Sequence, residues 1–111
     1  MNRERIKLEN AIVGCPGIAE GTVRFLRSVE DIPKITEENI IITNNNSPLY
    51  SIAFFKSKAI ISEVGGSLCH LAIVCREMQK PCIMGVKNIF EILKEGSKIR
   101  LNTQKKELEI L

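Results

Sequence analysis

Glu63-Val64-Gly65-Gly66-Ser67-Leu68-Cys69-His70-Leu71-Ala72-Ile73-Val74-Cys75-Arg76-Glu77-Met78-Gln79-Lys80-Pro81-Cys82-Ile83-Met84-Gly85 is the stretch on which the reading of this chain turns. It opens after the apolar run Ala59-Ile60-Ile61-Ser62, which reads as a buried strand. A Gly-Gly turn follows. Then Leu68, Leu71, Ala72, Cys75 and Met78 recur at helical spacing, which predicts a helix from about Cys69 to Gln79. Ser67 is placed to cap it, and Pro81 to stop it, because the residue before a proline avoids the helical region. Cys82-Ile83-Met84 then reads as a short strand ending at Gly85. His70, the only histidine, falls in the first helical turn.

Working outward, Lys7 to Cys15 reads as a first strand. Thr22 to Leu26 reads as a second, paired with the first as a hairpin-like unit across the turn signals Pro16-Gly17 and Glu20-Gly21. Ser28 to Asn39 is charged, contains Pro33 and is expected to be an exposed connection. Ile40-Ile41-Ile42 reads as a buried strand, and the asparagine loop 44–46 leads to Ser47, which can cap a helix with Pro48 at its first position running to about Phe55. Asn88 to Lys94 reads as one or two helical turns closed by Gly96. Lys98 to Leu101 and Leu108 to Leu111 read as closing strands. Strands, then strand–helix–strand, then strands predict one α+β or α/β layered domain over residues 1–111 with mixed sheets.

The chain has 111 residues, 44% apolar and 26% charged, with a net charge of +3. That length supports one modest core, without room for a nucleotide-binding domain and a separate catalytic barrel. The basic residues are dispersed, which gives nucleic-acid binding little support. No apolar run approaches the roughly 20 residues of a membrane span, and the charged N-terminus lacks a signal-peptide core, so cytoplasmic residence is expected. The four cysteines, Cys15, Cys69, Cys75 and Cys82, show no Cys-x-x-Cys pair and read as reduced, mostly buried small hydrophobes. A metal or redox site from Cys69, His70, Cys75 and Cys82 has little support: the spacing fits no common ligand pattern, and a helix places Cys69 and Cys75 on different sides.

The strand–Gly-Gly–helix order has a chemical use. Amides at a helix start have no intrahelical partner, the helix dipole adds partial positive charge, and glycine lets the backbone approach an anion closely. A neutral imidazole in that turn can attack a phosphoryl group, and the labile phosphorus–nitrogen bond lets the group be passed on. A lone histidine near a helix start is nonetheless more often a surface or packed residue. Arg76, Glu77 and Lys80 read most simply as a solvated face.

The run Gly65-Gly66-Ser67-Leu68-Cys69-His70-Leu71-Ala72-Ile73-Val74-Cys75-Arg76-Glu77, with Pro81 and Gly85, resembles the phosphohistidine motif of phosphoenolpyruvate-utilising enzymes. Cys15-Pro16-Gly17-Ile18-Ala19-Glu20-Gly21-Thr22-Val23, Ile40 to Pro48 and Lys94-Glu95-Gly96 are similar to further family segments in the right order. The resemblance implies the three-layer β/β/α swivelling phosphohistidine domain. On this chain it implies His70 as phosphocarrier nucleophile. Gly65, Gly66, Ser67 and Cys69 would form the phosphate nest, and Arg76 would support the helix and docking face. It implies a phosphotransferase component with no cofactor of its own. Mg and ATP or phosphoenolpyruvate would reside in ATP-grasp and phosphoenolpyruvate/pyruvate-binding partners. Met1 and the full set of strands lean toward a stand-alone protein.

Two positions depart from the pattern. Leu68 stands where the family has Ser or Thr, and Leu71 where it has a small residue, flanking Cys69-His70 with apolar side chains. Loss of one hydroxyl hydrogen bond costs roughly 0.5–1.5 kcal/mol. The alternative to a carrier is therefore a regulatory or docking module with impaired transfer.

Overall fold

The computed structural model describes residues 4–66 and 69–111. Its strands are β1 (Glu4–Lys7), β2 (Ile12–Cys15), β3 (Ile18–Leu26), β4 (Asn39–Thr43), β5 (Ala59–Ser62), β6 (Cys82–Met84), β7 (Lys98–Asn102) and β8 (Glu107–Ile110). The helices are α1 (Ser51–Lys56), α2 (His70–Met78) and α3 (Ile89–Ile92). The strands form one eight-stranded mixed sheet in the order β1-β8-β7-β3-β4-β5-β6-β2.

At its centre β3, β4, β5 and β6 run parallel. This is why Ile40-Ile41-Ile42, Ala59-Ile60-Ile61 and Cys82-Ile83-Met84 are unbroken apolar runs: a parallel sheet covered on both faces has no solvent side for polar residues. Successive side chains divide between the faces. Ile41, Ile60, Cys82 and Met84 join Tyr50, Ala53 and Phe54 near α1 and Leu71, Ala72 and Cys75 of α2. Ile40, Ile42, Ile61 and Ile83 instead join Ile99, Leu101 and Leu108 of β7 and β8, with Ile89 of α3. One core thus contains residues from distant parts of the strand order, so the sheet folds over itself. The result is a helical layer, a parallel β layer and a second β layer, the β/β/α architecture expected.

Strand β3 joins the two β layers. Thr22–Leu26 pairs in parallel with β4, and Ile18–Thr22 pairs antiparallel with β7. The expected hairpin between the first two strands does not form. The segment 4–15 is two strands, not one. Asn10 takes a left-handed φ of 67° between them. β1 pairs with β8, and β2 pairs with β6 at the other end of the sheet. Leu8 and Ala11, buried at 3% and 2% exposure, anchor the break in the core. Long-range partners win because they cover apolar surface that a local hairpin would leave open.

The segment 28–39, expected to be an exposed connection, contains a 3-10 helix at Val29–Lys34. The Asp31 carboxylate accepts from the Arg27 and Ser28 N–H groups, and Ile35 is buried beyond it. Ser47 caps the turn before α1 as expected, its Oγ accepting from Leu49 N–H at 3.2 Å. Helix α2 ends three residues before Pro81 by a different device. Gln79 adopts a left-handed φ of 54°, and Lys80 N–H donates to Cys75 O at 2.9 Å.

Lys80 is not part of a solvated face. Its Nζ donates to the carbonyls of Phe54 at 3.0 Å and Phe55 at 2.6 Å, holding the end of α1 beside the end of α2. Burial pushes its ammonium below the usual lysine range. Among the described residues no helix is long and apolar enough to cross a membrane.

Candidate functional site

The expected site lies where β5 leaves the sheet and α2 begins. Ser62 ends β5 fully buried. Its Oγ donates to Asn46 Oδ1 at 2.7 Å and accepts from Val64 N–H at 3.3 Å. Gly65 has φ +109°, a region L side chains rarely adopt. A Cβ there would strike Asn46 Nδ2 and lie 3.3 Å from both Cys69 Sγ and Met84 Sδ. Gly66 is different: among the described residues a Cβ would meet nothing within 4 Å. One glycine is required by the fold, whereas no described residue stands over the other.

Cys69 is the N-cap residue of α2, in extended conformation, and its side chain makes no cap hydrogen bond. Its thiol points inward to Met84 Sδ at 3.3 Å. Its N–H donates to Gly66 O at 3.1 Å within the turn, and its carbonyl accepts the first helical bond from Ile73 N–H at 3.2 Å. The N–H groups of His70, Leu71 and Ala72 precede that first helical bond. His70 is exposed at the first helical position, with its imidazole on the solvent side of the turn. Ser67 and Leu68, expected as nest and departure residues, lie outside the described residues.

Leu71 does not flank the imidazole. It is fully buried in the core between the sheet and the helices. A one-residue step rotates about 100° around a helix, so the residue after an exposed histidine faces inward. Arg76 is more than a solvated side chain: its Nε donates to Gly14 O in β2 at 2.9 Å, tying α2 to the sheet. Asn46 and Ser62 were not singled out from sequence. The available signals were a run of three asparagines before Ser47 and a lone hydroxyl at the end of an apolar strand.

The cysteines do not converge with His70. Cys69 and Cys75 both pack against the helix-side core, correcting the expectation that α2 separates them. Cys15 and Cys82 face one another across β2 and β6. Contact with Cys75 and burial push the Cys82 thiol well up, and burial raises Cys15. Among the described residues no group of His, Cys, Asp and Glu is placed to hold a metal ion. Cys15, Cys75 and Cys82 are buried, out of reach of a reagent in solution. Native protein is expected to titrate one thiol rapidly with Ellman's reagent, the partly exposed Cys69, and to release Cys15, Cys75 and Cys82 only on denaturation. Rapid reaction of two or more thiols would contradict this packing.

The chain is 33% identical over 100 residues to a probable phosphoenolpyruvate synthase of Methanothermobacter thermautotrophicus, covering 90% of this chain and 15% of that protein. It is 33% identical over 112 residues to the rifampicin phosphotransferase of Bacillus cereus, covering 98% of this chain and 13% of that one. The chain therefore spans about one seventh of the length of these relatives. Among solved structures, a UPF0107 protein superposes with TM-score 0.72 at 14% identity, over 97% of this chain and 99% of that one. Enzyme I superposes with TM-score 0.60 at 20% identity, over 71% of this chain and 33% of that one. These likenesses show the fold alone. Residues 35–106, which include β4 through β7 and the whole Gly65–His70 turn, match the model of the PEP-utilising enzyme mobile domain, and the chain belongs to that family.

Proposed function

We propose that this chain is a phosphocarrier that accepts a phosphoryl group on His70 and passes it from an ATP- or phosphoenolpyruvate-binding partner to a pyruvate-type acceptor. The observation that carries the reading is an exposed histidine at the first position of α2, behind a glycine turn in which no described residue stands over Gly66. An imidazole nitrogen lone pair attacks phosphorus. The phosphorus–nitrogen bond forms as the phosphorus–oxygen bond to the donor breaks, and the donor oxygen keeps the electron pair. Attack by the acceptor oxygen reverses the exchange and returns the lone pair to the ring.

The phosphoryl oxygens would be received by the amides of His70, Leu71 and Ala72 and the backbone at Gly66, aided by the helix dipole. The Cys69 amide would instead maintain the turn, since it already donates to Gly66 O. Arg76 would hold α2 against β2 while the exposed face meets each partner. Mg with ATP, or phosphoenolpyruvate, would be held by those partners. Both relatives carry names of phosphoryl-transfer enzymes, which supports the class of reaction. Burial of Leu71 removes one motive for a docking module without transfer.

The test is intact-mass measurement after incubation with ATP or phosphoenolpyruvate and the partner enzymes. One added phosphoryl group, lost in acid and kept in alkali, is expected. No adduct with a partner set active on its own carrier would sink the proposal.

A further inference from the structure

We propose that Asn46 is a positioning residue for His70, acting through the Gly65 turn and Cys69; the inference rests on the phosphocarrier reading. Asn46 lies in the loop between β4 and α1, distant in sequence from the turn it touches. Its side-chain amide is used at both ends. Oδ1 accepts from Ser62 Oγ at 2.7 Å, at the end of β5. Nδ2 donates to Val64 O at 3.1 Å and to Cys69 Sγ at 3.8 Å. One planar amide therefore joins the loop before α1, the end of β5 and the N-cap residue of α2. It also occupies the space a side chain at Gly65 would need.

His70 is bonded directly to Cys69, so restraint of Cys69 restrains the start of the histidine's backbone. The rest of α2 is anchored separately by Leu71, Ala72 and Cys75 in the core. Loss of Asn46 should therefore loosen the turn and leave the fold. Transfer between bound partners requires the nucleophile to be held near the reacting phosphorus, and a misplacement of about 1 Å can cost on the order of 100-fold in rate. A small diffusing donor makes no such demand on an exposed imidazole.

The test separates these two demands. Wild type, Asn46→Ala and Asn46→Asp are each treated with phosphoramidate, a small-molecule phosphoryl donor, and separately with phosphoenolpyruvate or ATP and the partner enzymes. Asn46→Asp keeps the acceptor toward Ser62 and removes the donor toward Val64 and Cys69, so it serves if Asn46→Ala does not fold. Expected in the folded variants is phosphoramidate labelling of His70 within about twofold of wild type, with partner-dependent labelling slowed by about tenfold or more. Partner-dependent labelling within about twofold of wild type, or equal slowing with both donors, overturns the proposal.

If wild type takes phosphoryl groups from phosphoramidate but from no partner, the carrier reading fails. Asn46 is then judged by amide hydrogen exchange at Cys69, whose N–H donates to Gly66 O, and at Ile73, whose N–H donates to Cys69 O. About tenfold faster exchange in the variants supports its hold on the turn, and unchanged exchange overturns it.

Discussion

His70→Ala is expected to take up no phosphoryl group from phosphoenolpyruvate or ATP with the partner enzymes, and to unfold at the same denaturant concentration as the parent. The two halves of this result have separate causes. The chain has one histidine, so no second imidazole can replace it. His70 is exposed and contributes to neither core cluster. Exposed substitutions of this kind usually change stability by less than about 0.5 kcal/mol, and alanine has the higher helix propensity. Loss of the adduct therefore cannot be assigned to unfolding. Intact mass with acid and alkaline quench reads the first half, and a urea titration reads the second. An adduct persisting in His70→Ala would place the group on another side chain and end the histidine-carrier reading.

Gly65→Ala is expected to destabilise the protein by about 2–4 kcal/mol, while Gly66→Ala changes stability by less than about 0.5 kcal/mol. At position 65 two penalties combine. A φ of +109° is strained for any residue with a Cβ, and that Cβ meets Asn46 Nδ2 with Cys69 Sγ and Met84 Sδ close behind. Relief by moving Asn46 would surrender its bonds to Ser62 and Val64. At position 66 φ lies outside that strained region, and among the described residues nothing stands within 4 Å of an added Cβ. Urea midpoints at unchanged slope give the comparison. Equal losses at both glycines would show that the turn is not built as described. Gly66→Ala should still slow phosphoryl uptake, because the added methyl stands where a phosphate would approach the backbone.

Elements whose signals are local were legible from sequence. Ala59–Ser62 and Cys82–Met84 form strands where their β-branched and apolar runs end at turn residues. The helix read from about Cys69 to Gln79 runs from His70 to Met78, because its apolar positions recur at the helical period. Ser47 and Pro48 marked the entry to α1 through known cap chemistry. What failed depended on distant partners. Lys7 to Cys15 looked like one strand because nothing local shows that β1 will pair with β8 and β2 with β6. Lys80 looked solvated because the carbonyls it caps lie about 25 residues earlier in the chain. Leu71 looked like a neighbour of the imidazole because adjacency along the chain conceals opposite faces of a helix.

By itself the sequence determined that a glycine turn leads into an amphipathic helix with the single histidine in its first turn. Turn preference and the 3.6-residue period are properties of neighbouring residues, and they suffice for that arrangement. Only the tertiary structure decided which glycine is obligatory, that the Cys69 thiol turns inward, and that Asn46 braces the turn from another loop. Those outcomes depend on where non-local atoms come to rest: a Cβ at Gly65 is excluded by an amide from position 46, and no local pattern encodes that collision.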